Sequence, residues 1–369
     1  MSSTVTVPGL VPLVGHEALR ERLALALRQE RLPASLLLHG GAGIGKQRLA
    51  LWLGALLLCD RAEPAPCGHC AHCRLTGLWR HPDLHWFFPR PRLKDGDPST
   101  DDVLNDLADA IESRAAAGGV YPPADPTDGL YVSTMRALVR TASVSPAMAA
   151  RRVFIVAQAE RLVPQEGADQ AANAFLKLLE EPPANAFLIL TSNEPAALLP
   201  TIRSRLVSIR VPPIGPADWR TLLADDRVIA ATERAGVSRD RLLRDEHRAL
   251  GALLGAAGDE GTSRAAAARA LFEAAGAPNR DDGRAARARA AFIQGAAGAR
   301  GSFAGVLDQL LRLMTDESRA ALARGDAERA DRYAHGSVLV ERARARTAGN
   351  ANPMLLSSQL LRDLQEALT

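Results

Sequence analysis

The stretch Ser35-Leu-Leu-Leu-His39-Gly40-Gly-Ala-Gly43-Ile-Gly45-Lys46 constrains this chain more than any other. A short apolar run enters a glycine-rich turn, and a helical pattern resumes at KQRLALWLGALLL (46–58). Strand, glycine turn and helix in that order are the setting in which Gly-x4-Gly-Lys forms a phosphate-binding loop. The N–H groups of Gly40–Gly45 and of the following helix can surround phosphate oxygens, with Lys46 against the outer phosphates. Further apolar runs at 84–88, 153–157, 187–191 and 207–211 alternate with helical stretches such as QAANAFLKLLEE (170–181). That alternation predicts an α/β domain, a parallel sheet with helices on both faces.

At 369 residues the chain exceeds the usual span of one core. Residues 1–212 hold every strand signal. Within them, 59–73 carries all four cysteines, and 89–130 is rich in Pro, Asp and Gly. We expect 89–130 to be a surface insertion, in part mobile, with a helix around Val103, Leu107 and Ile111. After Pro212-Pro213 the strand signals stop. A small helical domain over 213–260 and a helical bundle over 261–369 are expected. Val306, Leu307, Leu310, Leu311 and Met314, preceded by Phe303, follow helical spacing, as do Leu356, Leu360, Leu364 and Leu368. The Ala/Arg stretches 264–277 and 284–292 read as helix composition.

Cys59, Cys67, Cys70 and Cys73 have the spacing C-x7-C-x2-C-x2-C. Thiolates bind zinc tetrahedrally, and two-residue gaps turn neighbouring sulfurs towards one ion. Disulfides and free thiols are the alternatives; gaps this short and the adjacent Pro64, Pro66 and Gly68 favour a metal knuckle. Four protein ligands leave no open position, so the zinc is expected to be structural. His69 and His72 lie close enough to replace a cysteine, but four sulfurs suffice.

Net charge is only +3, which allows nucleic-acid contact without requiring it. The start MSSTVTVPGL has no basic head before an apolar run, and LWLGALLL (51–58) is too short to cross a bilayer. A cytoplasmic protein without membrane contact is expected.

Hydrolysis at a phosphate loop needs magnesium, held by a loop Ser/Thr hydroxyl and by an Asp on a neighbouring strand. Here the hydroxyl position is Gln47, and the strand VFIV ends in Ala157-Gln158, where an ATPase of this design carries Asp-Glu. Glu160 lies further on and is expected to turn away. Both magnesium ligands and the base are thus altered together. The loop Gly40, Gly43, Gly45, Lys46 and Gln47 is expected to bind nucleotide weakly or not at all, and not to hydrolyse it.

These residues resemble the clamp-loader subunits of bacterial DNA polymerase III, within the AAA+ class. LVGHEALRERL (13–23) is similar to the entry segment of such modules. The cysteine cluster followed by HPDLHWF (81–87), AANAFLKLLEEPPANAFLILTSN (171–193) and PTIRSRL (200–206) are similar to later family segments, with Leu206 where Cys is usual. The resemblance covers residues 10–212, and the helical C-terminus only by architecture. It implies a helical lid over 213–260 and an oligomerising collar over 261–369. It also implies gamma/tau and delta partners in a hetero-pentameric ring, and action on the sliding clamp and primed DNA through that complex. Within the family, the altered magnesium ligands favour a non-hydrolysing subunit over the ATP-hydrolysing gamma/tau motor, which is the alternative. The resemblance further implies that Arg205 reaches in trans to ATP bound by the adjacent motor. Ser192-Asn193, where the family senses the terminal phosphate, is expected to be structural, and Lys177, Glu180 and Glu181 to serve a helix surface and its interface. A zinc module binding nucleic acid by itself ranks last, because only Arg61, Arg74 and Arg80 flank the cluster.

Overall fold

A computed structural model describes residues 10–62, 64–95, 97–125, 128–162, 169–243, 245, 248–257, 259–276, 300–347 and 353–368. The first nine residues and the Ala/Arg stretch 284–292 lie outside the described residues. The chain forms two compact units, one reaching Leu254 and the other built from Gly255 onwards.

The first unit is built on five parallel strands: β1 (Ser35–His39), β2 (Leu84–Phe87), β3 (Arg152–Val156), β4 (Ala186–Ser192) and β5 (Val207–Arg210). Their spatial order is β2-β3-β4-β1-β5. Each expected strand is present, its bounds shifted by one or two residues. β1 lies between β4 and β5, with Leu36 opposite Ile189 on one side and Val207 on the other. Leu36, Leu37 and Leu38 are fully buried, which is why this strand reads as an unbroken apolar run rather than an alternating one. From β1 the chain crosses to β2 at the far edge and works back through β3 and β4. The strand order therefore reverses beside β1, and a crevice opens there at the carboxyl ends of the strands.

Helices α1 (Glu17–Arg28), α2 (Lys46–Leu58) and α3 (Ala71–Gly77) precede β2. α4 (Thr100–Ala116) and α5 (Val132–Ala142) follow it, α6 (Asp169–Glu180) precedes β4, and α7 (Pro200–Arg203) precedes β5. The stretch 89–130 differs from the expected surface insertion. α4 starts with a reciprocal capping box between Ser99 and Asp102. It buries Val103 and Leu107 in the same core as the sheet. Its end is fixed by Arg114, whose guanidinium lies 3.5 Å from the Phe88 ring centroid and 4.3 Å from that of Tyr121. Pro, Asp and Gly dominate the composition of the stretch, but Val103, Leu107, Val120 and Leu130 are buried.

Helices α8 (Pro216–Leu223), α9 (Asp226–Arg234), α10 (Arg239–Leu243) and α11 (Leu250–Ala257) follow the sheet. The Trp219 indole N–H donates to Leu242 O at 2.9 Å, tying α8 to α10. The second unit contains α12 (Asp259–Ala275), α13 (Arg300–Ala323), α14 (Ala327–Thr347) and α15 (Pro353–Leu368). Val306, Leu307, Leu310, Met314, Leu360 and Leu364 form its core with Leu271 and Val340, on the faces that the periodicity predicts. Among the described residues, no helix is long and apolar enough to cross a membrane.

Candidate functional site

The glycine loop joins β1 to α2, and its glycines are required by their surroundings. Gly40 has φ +154°, and a Cβ there would lie 2.4 Å from Val211 O. Gly43 has φ +78°, and a Cβ there would lie 2.5 Å from Ala252 N, because α11 begins directly against the loop. Gly45 also has positive φ and caps α2. Lys46 is buried, and its ammonium donates to Gly40 O at 2.8 Å, to Gly41 O at 2.5 Å and to Asn193 Oδ1 at 2.7 Å. Its pKa falls to about 8 because burial disfavours the charge, with Glu160 acting in the opposite sense. The residues of this loop line a cleft of about 170 Å³.

Gln47, Ala157 and Gln158 stand at the positions that hold magnesium in a working site, and the Gln158 side-chain oxygen is buried without a hydrogen-bond partner. Gln47 Oε1 accepts a hydrogen bond from the Tyr121 hydroxyl at 3.3 Å. At the end of β3, Ala157 offers no ligand. Gln158 takes a left-handed conformation, and its N–H donates to Thr191 Oγ1 at 3.1 Å. Glu160, expected to turn away, instead turns back: its Oε1 accepts from Asn193 N at 3.0 Å, while Oε2 is buried without a hydrogen-bond partner. The carboxylate belongs to the loop's surroundings because the short helical turn Ala159–Arg161 reverses the chain after β3. Asn193 therefore links Lys46 to Glu160.

Three residues of the cleft were not singled out from the sequence. Tyr121 arrives from the stretch after α4. Arg248, in a left-handed conformation before α11, lines the cleft and donates from Nε to Ile214 O at 2.5 Å. His16, buried before α1, donates from Nε2 to Ile44 O at 3.2 Å and leaves Nδ1 without a partner. Burial lowers its pKa, so the ring is neutral and Nδ1 is an acceptor. Only His16 had a local signal, its place in the entry segment. Tyr121 and Arg248 become recognisable only once distant segments are brought together.

The four cysteine sulfurs lie within 4.8 Å of one another. Tetrahedral zinc with Zn–S bonds of about 2.3 Å needs sulfurs roughly 3.8 Å apart, and Cys67 Sγ and Cys73 Sγ are 3.9 Å apart. The cluster therefore fits one zinc ion with a small contraction. Backbone groups already support it. Cys59 Sγ accepts from Cys67 N at 3.3 Å and Arg61 N at 3.4 Å, and Cys70 caps α3 by accepting from Cys73 N at 3.3 Å. Although burial works the other way, the N–H groups of His69 and Cys70 and the neighbouring thiols hold Cys67 down at about 6. His72 does not join the sulfurs. Its Nδ1 lies 2.8 Å from His81 Nε2, and its Nε2 faces Asp60 at 3.4 Å. His81 Nδ1 accepts from Asp83 N at 3.0 Å. Both imidazoles thus act as hydrogen-bonding links that fasten the cysteine module to the start of β2.

Arg205 follows α7 at the molecular surface. Its Nε donates to Glu180 Oε1 at 2.6 Å, Nη2 contacts the same oxygen, and Nη1 donates to Thr201 O at 2.6 Å. Arg203, two residues earlier, is exposed and makes no such contacts among the described residues.

Residues 15–215 match a family described as DNA polymerase III, delta subunit. Among curated relatives, the delta' subunit of DNA polymerase III from Pseudomonas aeruginosa is 33% identical over 201 residues, which is 53% of this chain and 49% of that one. The gamma/tau subunit from Mycobacterium tuberculosis is 32% identical over 258 residues, 67% of this chain and 37% of that one. The matched part of this chain spans about half the length of the delta' relatives or less. Among solved structures, a gamma subunit-related protein of Thermotoga maritima aligns with 94% of this chain and 99% of its own at 15% identity and a TM-score of 0.42.

Proposed function

The chain belongs to the DNA polymerase III delta subunit family, and from that premise we propose that it is a delta-prime-type subunit of the clamp loader. In this role it completes a ring with gamma/tau and delta subunits and does not itself hydrolyse ATP. Residues 1–212 supply the P-loop domain, 213–260 a lid, and 261–369 the collar through which the ring associates. Through the assembled complex it helps place the sliding clamp on primed DNA.

One observation carries this reading: the glycines and Lys46 are present while the positions beside them that would hold a metal carry neither hydroxyl nor carboxylate. Lys46 and the glycines remain, but Gln47 is hydrogen-bonded to Tyr121 and the end of β3 presents Ala157 and Gln158. Phosphoryl transfer depends on charge neutralisation by the metal as much as on positioning. A cradle without cation ligands can hold phosphates only through Lys46 and backbone N–H groups. The contribution of this chain to catalysis then lies in Arg205, offered to ATP held by the neighbouring motor. A guanidinium supplied in trans is worth about 10³–10⁵ in rate. The four thiolates of Cys59, Cys67, Cys70 and Cys73 would hold a zinc ion that closes the module structurally.

The test is ATP turnover by a complex reconstituted with its own motor and delta subunits. Arg205→Ala should reduce that turnover while the isolated chain shows none. Unchanged turnover refutes the trans role.

The second reading is an ATP-hydrolysing motor. It draws on the 258-residue similarity to gamma/tau and on the buried, unpartnered Glu160 Oε2. It requires magnesium-dependent hydrolysis by this chain alone, abolished in Lys46→Ala.

A further inference from the structure

Resting on the trans role of Arg205, we infer that Glu180 is its positioning residue: it fixes the guanidinium so that one free N–H on each terminal nitrogen faces out of the subunit. A guanidinium has five N–H groups in a rigid fork. Three are committed within this chain: Nε–H and one N–H of Nη2 to Glu180 Oε1, and one N–H of Nη1 to Thr201 O. The two that remain are on the terminal nitrogens, the pair a planar fork offers to a phosphate or carboxylate.

Both anchors are themselves held. Glu180 ends α6 directly after Leu178 and Leu179, which are buried in the core of the sheet. The Ser35 hydroxyl donates to Leu179 O at 3.2 Å, joining the end of α6 to the start of β1. On the other side Thr201 lies in α7, which is seated by the buried Ile202. Arg205 is thus referred through Glu180 to the strand that carries the phosphate loop. Arg203, two residues earlier, is exposed and has no such support among the described residues. The fork is prepared before a neighbour arrives, so the side chain need not be ordered as the γ-phosphate transfers. The side chains of Arg205 and Glu180 are 28% and 46% exposed. Such a pair contributes little to folding stability, and its loss should leave the subunit folded.

The experiment measures ATP turnover by the reconstituted complex containing wild type, Glu180→Ala, Glu180→Asp, Arg205→Ala or the Glu180→Ala/Arg205→Ala pair. Assembly is checked by subunit stoichiometry. Glu180→Ala should lower kcat about tenfold, less than Arg205→Ala, with the KM for ATP changed by less than about twofold. Glu180→Asp should recover part of the loss. In the Arg205→Ala background, Glu180→Ala should cost nothing further, because a positioning residue acts only through what it positions. If Arg205→Ala is impaired but Glu180→Ala matches wild type, the positioning role is refuted while the trans role stands. An equal loss from Glu180→Ala with and without Arg205 also refutes it, as does a failure of the Glu180→Ala complex to assemble. If Arg205→Ala itself turns over ATP normally, the trans role fails first and the positioning role with it.

Discussion

Asp83→Asn tests the packing behind the candidate sites with almost no change in volume. The Asp83 side chain is wholly buried at the start of β2. Its Oδ1 accepts from Ala147 N at 2.6 Å, and Oδ2 accepts from Met148 N at 2.9 Å and Ala149 N at 2.8 Å. Arg152 Nε stands 3.6 Å away, an ion pair rather than a hydrogen bond. An asparagine has one oxygen where three N–H groups converge, so its NH₂ must face at least one of them. Hydrogen bonds to a charged group are each worth about 1.5–3 kcal/mol. Removing one partner of a buried pair costs about 3–5 kcal/mol. These figures overlap, since one carboxylate makes all the contacts, and Arg152 keeps its bonds to Thr141 O and Val144 O. A net loss of roughly 3–5 kcal/mol follows, or about 6–20 °C in the melting temperature of a unit this size.

The assay is thermal unfolding at pH 7 followed by circular dichroism, with zinc content measured in parallel. The Asp83 carboxyl lies below the usual range: burial opposes ionisation, but the N–H groups of Ala147, Ala149 and Met148 outweigh it. A depressed carboxylate contributes stability that is present above its unfolded pKa of about 3.9 and is lost as the pH falls through its folded value. The gap between wild type and Asp83→Asn should therefore stay constant from pH 7 to about 5 and close only in stronger acid. A shift under about 2 °C at neutral pH would refute the reasoning.

Replacing Cys67 and Cys70 by serine should remove one equivalent of zinc, read by elemental analysis, and lower the unfolding temperature, because metal binding to such a site is folding free energy. Equal stability in the zinc-free protein would oppose this. His85 is held down to about 4, by burial first and then by the Arg152 guanidinium, with His81 adding in the same direction. A histidine kept neutral when folded costs stability as the pH falls, since the unfolded chain takes up protons from about 6.5 downward. Stability should decline between about pH 6.5 and 4, and the slope in urea titrations should flatten in His85→Gln. An unchanged slope would show that another group titrates there.

Much of this architecture is legible locally. The run Ser35–His39 into four glycines and Lys46 specifies a strand, a turn and a helix because all three signals adjoin. The cysteine spacing specifies a shared cluster of four sulfurs for the same reason. The contents of the cleft could not be read this way. Tyr121 meets Gln47 across 74 residues, and Asn193 meets Glu160 across 33. Neither contact leaves a periodicity or a motif. Composition misdirects in 89–130, where polar residues outnumber the few that do the packing: Val103, Leu107 and Arg114 hold the stretch on the core, and Tyr121 reaches the cleft. His72, beside Cys73 in sequence, reads as a spare ligand, but it faces His81 and Asp60.

The three oxygens around Lys46 have a consequence for how such a chain changes over time. With Gly40 O, Gly41 O and Asn193 Oδ1 already satisfying the ammonium, the loop keeps its shape without any visitor. Replacement at 47 therefore carries no folding penalty through the Lys46 contacts, whereas Ala157 is fully buried in the core and is not free to change. Gly40 and Gly43 have no such freedom, because Val211 and Ala252 press on them from outside. The glycine signature is thus held in place by packing alone, and by itself it reports architecture rather than turnover.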